Sequence, residues 1–320
     1  MKKILAIALA IVMVFGLVAC GSSAPKANGP KVAVFWYDES DVYLSSVRDA
    51  MNKEFAAMGI TPDNQYAANN QSTQLDQIKT AIAGGANVLV VNQVTSGASD
   101  TAEDIIAAAG NIPVIFFNRA IGTDGSEVAV LEAHNTVAFI GTDAPAAGHM
   151  QGKMIGDYAV ANFDTIDINA DGVISYAMFK GDEANVEAIF RTQYGLEDAN
   201  LVLEAAGNMI ELVICNNDGM AEGVIASLQE KGYNVAGAHV VPVFGVDATD
   251  NAKALIADGA MTGTVKQDAD GMAAAISQTA AAVAGGKAPA EALGGLSDAR
   301  FTIAGDCASK LFVAYAPYTG

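Results

Sequence analysis

The sequence predicts an α/β protein of two doubly wound, parallel-sheet lobes, on three observations. Short apolar runs alternate with helical patterns from residue 31 onward. The runs "KVAVFWY", "NVLVVN" and "IPVIFFN" are apolar nearly throughout, as in strands buried on both faces. A second strand–helix series begins after Asn118, in a chain whose 320 residues suit about two domains.

The elements follow in order. "KVAVFWY" is the first strand, and Val47, Met51, Phe55 and Met58 at helical spacing mark the first helix. Leu75, Ile78 and Ile82 form one face of the next helix, which stops at Gly84-Gly85 as a C-cap. "NVLVVN", the helix "SDTAEDIIAAAGN" and "IPVIFFN" complete a βαβαβ unit. The second series runs "HNTVAFIG", the helix "APAAGHMQGKMIGDYAVANF", "ISYAMFKG", a helix around "VEAIFRTQYGLEDAN", "IELVICNN", the helix "GMAEGVIASLQEKG" and "VPVFGVD". "NAKALIADG", "TGTVKQ" and "DGMAAAISQTAAAVAGGK" continue the alternation. Ligands of open α/β sheets bind beyond the carboxyl ends of the strands, so the polar residues there are the candidates for function.

The N-terminus is a targeting segment. Lys2 and Lys3 precede the apolar run "ILAIALAIVMVFGLVA", which leads into "LVAC" and the polar "GSSAPKANGP". A small residue before Cys20 resembles a bacterial lipobox, which implies a signal peptide over 1–19, lipidation of Cys20 and a flexible leader over 20–30. The alternative is an N-terminal membrane anchor, for which the run is short. Either way the protein works outside the cytoplasm, held to the cell membrane, on the periplasmic side where two membranes exist. Cys215 and Cys307 have no metal or disulfide spacing and read as buried thiols, with an exported disulfide as the alternative. The net charge of −19 makes nucleic acid and anionic membrane surfaces poor partners. GxGxxG, Walker and GxSxG patterns are missing, and His134, His149 and His239 form no metal or triad motif. The sequence therefore reads as a binding protein, not an enzyme.

The polar residues at successive strand ends form an ordered set: Asp41 and Tyr43 after "VFWYDES", Asn92 in "VVNQV", "FFN" at 116–118, Glu187 and Arg191 in "EAIFRT", Asn217 in "ICNND", Asp247 in "VFGVD" and Gln267 in "GTVKQD". This set resembles that of the galactose/glucose-binding proteins, within the type I periplasmic binding protein family, over nearly all of residues 31–320. The resemblance implies two lobes joined by a three-crossover hinge: 31–118 plus 268–310, and 119–267 plus 311–320. It implies that Asp41, Asn92, Glu187, Arg191, Asn217, Asp247 and Gln267 hydrogen-bond a hexose, glucose or galactose, that Tyr43 covers its C–H face, and that Asn185 stands where the family usually has a His. A carboxylate, an amide and a guanidinium together can saturate a hydroxyl that both donates and accepts. It further implies a monomer that closes on a monosaccharide and docks on an ABC permease; presentation of sugar occupancy to a chemoreceptor or histidine kinase is the alternative. Singly, Asp and Asn after a strand are as often helix caps or turn formers.

"DINADGVIS", residues 167–175, matches the first nine positions of an EF-hand loop, but Met178 occupies the twelfth, where a bidentate Glu is needed. In the resembled family that carboxylate comes from a distant strand, and Glu211 matches it. The implied ligands of a structural Ca2+ are Asp167, Asn169, Asp171, the Val173 carbonyl, Ser175 and Glu211, with Ser175 in place of a longer Gln. The plain alternative is a solvated turn.

The chain also departs from the family. Residues 192–210 alone separate Arg191 from Glu211, where the family has about one more βα unit carrying a Trp that stacks on the sugar's second face. Trp36, the only Trp, lies in the first strand. The expected consequences are a helix missing from the second lobe, a strand missing or replaced by "NLVLEA", an exposed edge and weaker binding. Glu187 and Gln267 are each one methylene longer than the family's Asp and Asn, and Tyr43 adds a hydroxyl to the usual Phe.

Overall fold

Alternate residues of the first strand face opposite helical layers. The computed structural model describes residues 29–123, 125–199, 203–205 and 210–320. Strand β1 (Val32–Trp36) sends Val32, Val34 and Trp36 into one apolar cluster and Ala33 and Phe35 into another. Strands β3 (Val88–Val91), β4 (Val114–Phe117) and β5 (Val137–Gly141) alternate in the same way, and every residue of these four strands is buried. This is why the runs are apolar throughout: each strand has a helix layer on both sides. One layer is α1 (Val42–Ala57) with α9 (Ala269–Ala284), which contribute Val47, Met51, Phe55, Met272 and Ile276. The other is α2 (Gln71–Ala83), α3 (Ser99–Ala109) and α4 (Ser126–Ala133), with Ile78, Ile105 and Leu131.

Two sheets result. The first runs β11-β12-β5-β4-β3-β1-β2, where β2 is Asp63–Tyr66, β11 Phe301–Ala304 and β12 Cys307–Val313. The second runs β13-β10-β9-β8-β6-β7, with β6 Ile174–Phe179, β7 Leu203–Ala205, β8 Leu212–Cys215, β9 Val243–Asp247, β10 Gly263–Gln267 and β13 Tyr315–Tyr318. Its helices are α5 (Ala144–Ile166), α6 (Val186–Ala199), α7 (Asp218–Glu230) and α8 (Asp250–Ala257). A short α10 (Pro289–Gly294) belongs to the first lobe, where Ala292 and Leu293 join its core. Read from the opposite edge, the parallel strands of both sheets have the same order: β2-β1-β3-β4-β5 and β7-β6-β8-β9-β10. Among the described residues only β11, against β12, and β13, against β10, pair antiparallel.

The sheets correct the expected lobe boundaries. Strand β5 pairs with β4 and β12, so the first lobe extends through Gly141 and the first crossover is at Thr142–Asp143, not near 118. The run "HNTVAFIG" looked like the start of a second series because parallel strands of either sheet have the same apolar signature. The second crossover, at Asp268 between β10 and α9, lies where expected. The third is at Ala314, between β12 and β13, rather than near 310.

The "NLVLEA" segment supplies β7, which pairs parallel with β6 as its edge neighbour. Residues 206–211 alone separate β7 from β8, fewer than the dozen or so that a helical crossover needs. Strand β6 begins buried at Ile174 and ends at Phe179, which is 44% exposed. Cys215 and Cys307 are free and buried, and burial pushes the Cys215 thiol up to about 12, leaving it inert. Among the described residues no helix is long and apolar enough to cross a membrane. The lipobox and Cys20 lie outside the described residues.

Candidate ligand-binding cleft

The second lobe places its charged residues at the lobe boundary. Arg191, in the second turn of α6, is only 7% exposed. Its Nη2 donates to Gln267 Oε1 at 2.7 Å and to the Tyr315 hydroxyl at 3.2 Å, and its Nη1 lies 3.9 Å from Asp247 Oδ1. Asp247 ends β9 with φ of 125°, and Ala248 follows at 56°. Two successive non-glycine residues at positive φ store strain that packing must hold, as at ligand sites. Burial pushes the Asp247 carboxyl well above the usual range; Arg191 opposes this, while Asp218 and Asp41 add to it.

Tyr43 comes from α1 of the first lobe to meet this group. It is buried beside Asp247, Tyr315, Arg191 and Gln267. Three buried polar atoms here have no hydrogen bond of good geometry: Tyr43 Oη, Arg191 Nε and Gln267 Nε2, although Gln267 lies close enough to Tyr43 to favour its ionised form weakly. Each such group costs about 1–3 kcal/mol unless something bonds it. Tyr43 therefore brings a hydroxyl to the cleft as well as the expected ring.

The remaining candidates divide. Glu187 spans the lobes: its Oε1 accepts the Ala120 N–H at 2.8 Å and its Oε2 accepts the Ser96 hydroxyl at 3.4 Å. Burial raises its carboxyl pKa, against the hydrogen bond from Ala120 and the charges of Arg191 and Arg119. The approach is close enough to require Gly97, at φ 74°, where a Cβ would stand 2.6 Å from Val186 Cγ2. Asn92 is fully buried and clamps strand ends, donating to Phe117 O at 3.0 Å and Asn118 Oδ1 at 3.3 Å. Asp41 and Asn217 are the N-caps of α1 and α7, accepting from Leu44 and Met220, and Asp41 Oδ2 also accepts the Tyr37 hydroxyl. Asn185 Oδ1 accepts the Glu187 N–H at 3.1 Å. These three fill the capping role that their residue types favour.

The structure also brings the loop candidates together. Asp167 accepts the Asp171 N–H at 3.1 Å and the Gly172 N–H at 3.0 Å, and Asp171 accepts the Val173 N–H. Glu211, 2% exposed, reaches from the start of β8 to accept Ile168 N–H at 3.0 Å and Ser175 N–H at 2.9 Å. It thus bridges both ends of the loop through backbone N–H groups. The donors are all oxygens, which suits a hard cation. They do not converge on one point: Asn169 donates to Asp171 at 3.0 Å, and among the described residues no group of three or more His, Cys, Asp and Glu side chains could hold a metal ion.

The structure adds residues that carried no signal in the sequence. Tyr315 and Thr142 stand at crossovers, and their hydroxyls are 2.7 Å apart. Arg119 stacks 4.2 Å from the centre of the Tyr37 ring and donates to Val94 O, with its Nε unpartnered. Arg119 follows "FFN" directly and its strand-end position was a usable signal; Tyr315 sits in no motif.

Comparison with known proteins shows the family and the fold. A profile of the periplasmic binding protein domain matches residues 32–199 and 195–288. The chain is 29% identical over 310 residues to the D-galactose/methyl-galactoside binding periplasmic protein of Haemophilus influenzae, covering 87% of this chain and 88% of that one. An ABC transporter solute-binding protein of Actinobacillus succinogenes with bound D-allose superposes with a TM-score of 0.70 at 17% identity, covering 90% of this chain and 96% of that one. One from Bacillus halodurans with bound myo-inositol gives 0.65 at 23% identity, covering 91% and 95%. The chain belongs to the periplasmic binding protein family, with its type I two-lobed fold, and is a solute-binding protein rather than an enzyme.

Proposed function

We propose that the protein captures a hexose between its lobes, glucose or galactose first among the candidates, and delivers it to an ABC importer as a monomeric, lipid-anchored extracytoplasmic protein. The observation that carries the reading is the buried cluster of Tyr43 Oη, Arg191 Nε and Gln267 Nε2, none with a hydrogen bond of good geometry, beside the Asp247 carboxyl. A polyhydroxylated ring offers each of them a partner, and a carboxylate and guanidinium on the same hydroxyls discriminate epimers. D-galactose/methyl-galactoside binding in the Haemophilus influenzae relative, and the D-allose and myo-inositol bound by the structural neighbours, belong to the same chemical class. A signalling role would use the same closed form with a receptor as its reader.

Calorimetric titration with D-galactose, D-glucose, D-allose and myo-inositol tests the reading. Binding of a hexose at micromolar Kd or tighter is expected, lowered by about 100-fold or more in Arg191→Met, which removes charge-assisted hydrogen bonds of about 1.5–3 kcal/mol each. Heat from none of the four sugars, in a chain that melts cooperatively, refutes it. We further propose that the loop at 167–175 with Glu211 takes up Ca2+ as a structural ion, gathering its carboxylates on binding.

A further inference from the structure

Three segments join the lobes, and one residue beside each meets in a single hydrogen-bonded node. Thr142 lies at the first crossover, Gln267 directly precedes the second and Tyr315 directly follows the third. Gln267 and Tyr315 are also register partners in the second sheet, so their backbones are fixed side by side. Arg191 Nη2 donates to both, at 2.7 Å to Gln267 Oε1 and 3.2 Å to Tyr315 Oη. The guanidinium has only donors, so the Tyr315 oxygen accepts from it and the Tyr315 proton is free for Thr142 Oγ1 at 2.7 Å. A chain of hydrogen bonds thus runs from Arg191 through the third crossover to the first. Arg191, Gln267 and Thr142 are buried, where such a chain is strong and a missing member is costly.

The placement matters because hinge motion rotates the crossovers. Thr142 leads out of the first sheet and Tyr315 pairs within the second, so their contact depends on the angle between lobes. Resting on the reading of Arg191 as a ligand contact, we propose that Tyr315 is a positioning residue that couples capture to closure. Its hydroxyl fixes the guanidinium at the lobe boundary, and its bond to Thr142, the one bond of the node that leaves the second lobe, forms only when the lobes are closed. A ligand held by Arg191 stabilises the same rotamer that Tyr315 needs. Occupancy and hinge angle then favour one another, as any pair of linked equilibria must.

Hydrogen exchange on the full chain reads closure without relying on affinity. The Ala120 amide, in the first lobe, is protected by Glu187 of the second only while the lobes are together. In Tyr315→Phe without ligand, exchange of the peptide carrying Ala120 is expected to rise about 10-fold, the effect of one hydrogen bond of about 1.4 kcal/mol. Amides of β3, fixed within the first sheet, should keep their rates. Thr142→Val, which removes the same bond to the first crossover and leaves the Arg191–Tyr315 bond, should give a similar rise in the same place. With D-galactose at saturation the parent should slow further at Ala120, and Tyr315→Phe should slow less. Unchanged Ala120 exchange in both ligand-free variants overturns the coupling, as does a uniform rise that includes β3. A parent indifferent to D-galactose counts against galactose as the ligand, while the ligand-free variants still decide the coupling.

Discussion

The two lobes share one strand order but not one degree of completion. In the first, β1, β3, β4 and β5 are buried along their whole length between two helix layers. In the second, β6 is buried at Ile174 and bare at Phe179, β7 has three residues, and no helical crossover fits between β7 and β8. Among the described residues the first lobe's core is two large clusters, and the second's is divided into three smaller ones. The charged cluster of the candidate cleft is distributed the opposite way. Arg191, Asp247 and Gln267 come from the second lobe, while Tyr43 reaches in from the first and the Ala120 N–H meets Glu187. A sheet can thus keep its strand order, and the residues at its strand ends, with a short, sparsely covered strand at its far edge.

The largest expected effect tests whether the first lobe is the stability reservoir. Phe117 is fully buried and packs edge-to-face on Trp36 at 5.2 Å. Phe117→Ala should cost about 3–5 kcal/mol in urea unfolding. A cost below 1 kcal/mol would show that the first core is slack and would end the contrast.

Next in size is a pH effect confined to the second lobe. Burial pushes the Asp218 carboxyl from 3.8 up to about 6, against hydrogen bonds from Thr264 and Thr249. Between roughly pH 4 and 6 the folded group keeps a proton that the unfolded group has lost. Its contribution to stability is therefore greatest at low pH and is lost as pH rises through about 6, by about 3 kcal/mol. Asp218→Asn should remove that slope from the parent's pH profile, whatever its stability at one pH. Equal slopes in both proteins would mean that Asp218 is not buried as the structure has it.

How much of this was legible follows from what each feature depends on. The strand runs were readable because burial on both faces leaves no polar position. The first crossover was not: the β5 pattern serves either sheet, and only its pairing with β4 and β12 settles the lobe. Arg191, Asp247 and Gln267 were readable as strand-end and helix residues and do meet, whereas Asp41, Asn185 and Asn217 cap helices, the competing use of the same residue types. Tyr315 and Thr142 were invisible because their role depends on contacts 173 residues apart. The link from Glu211 to the 167–175 loop was read by resemblance, since no local pattern joins residues 36 apart.

The loop gives a middling effect that sharpens the contrast. Calcium at about 100 times its Kd would add about 2.7 kcal/mol. Chelation should then lower Tm by on the order of 5 °C, with exchange rising in β6 and β8 and not in β1 or β3. Glu211→Gln should abolish the response to calcium. A parent whose Tm ignores both calcium and chelator would leave Glu211 as a purely structural bridge between Ile168 and Ser175.

The smallest effect on stability concerns the bare edge itself. Phe179, at the end of β6, is 44% exposed and lies beyond the β7 pairing, which covers only Ile174–Tyr176. An exposed Phe contributes little burial, so Phe179→Ser should change unfolding free energy by no more than about 0.5 kcal/mol. An uncovered apolar edge beside a three-residue strand does favour self-association. Sedimentation at high protein concentration should show the parent associating and Phe179→Ser more monomeric, with the same hexose affinity. If the substitution instead costs 2 kcal/mol or more, Phe179 is covered in solution, and the second lobe is more complete than its strand and helix count implies.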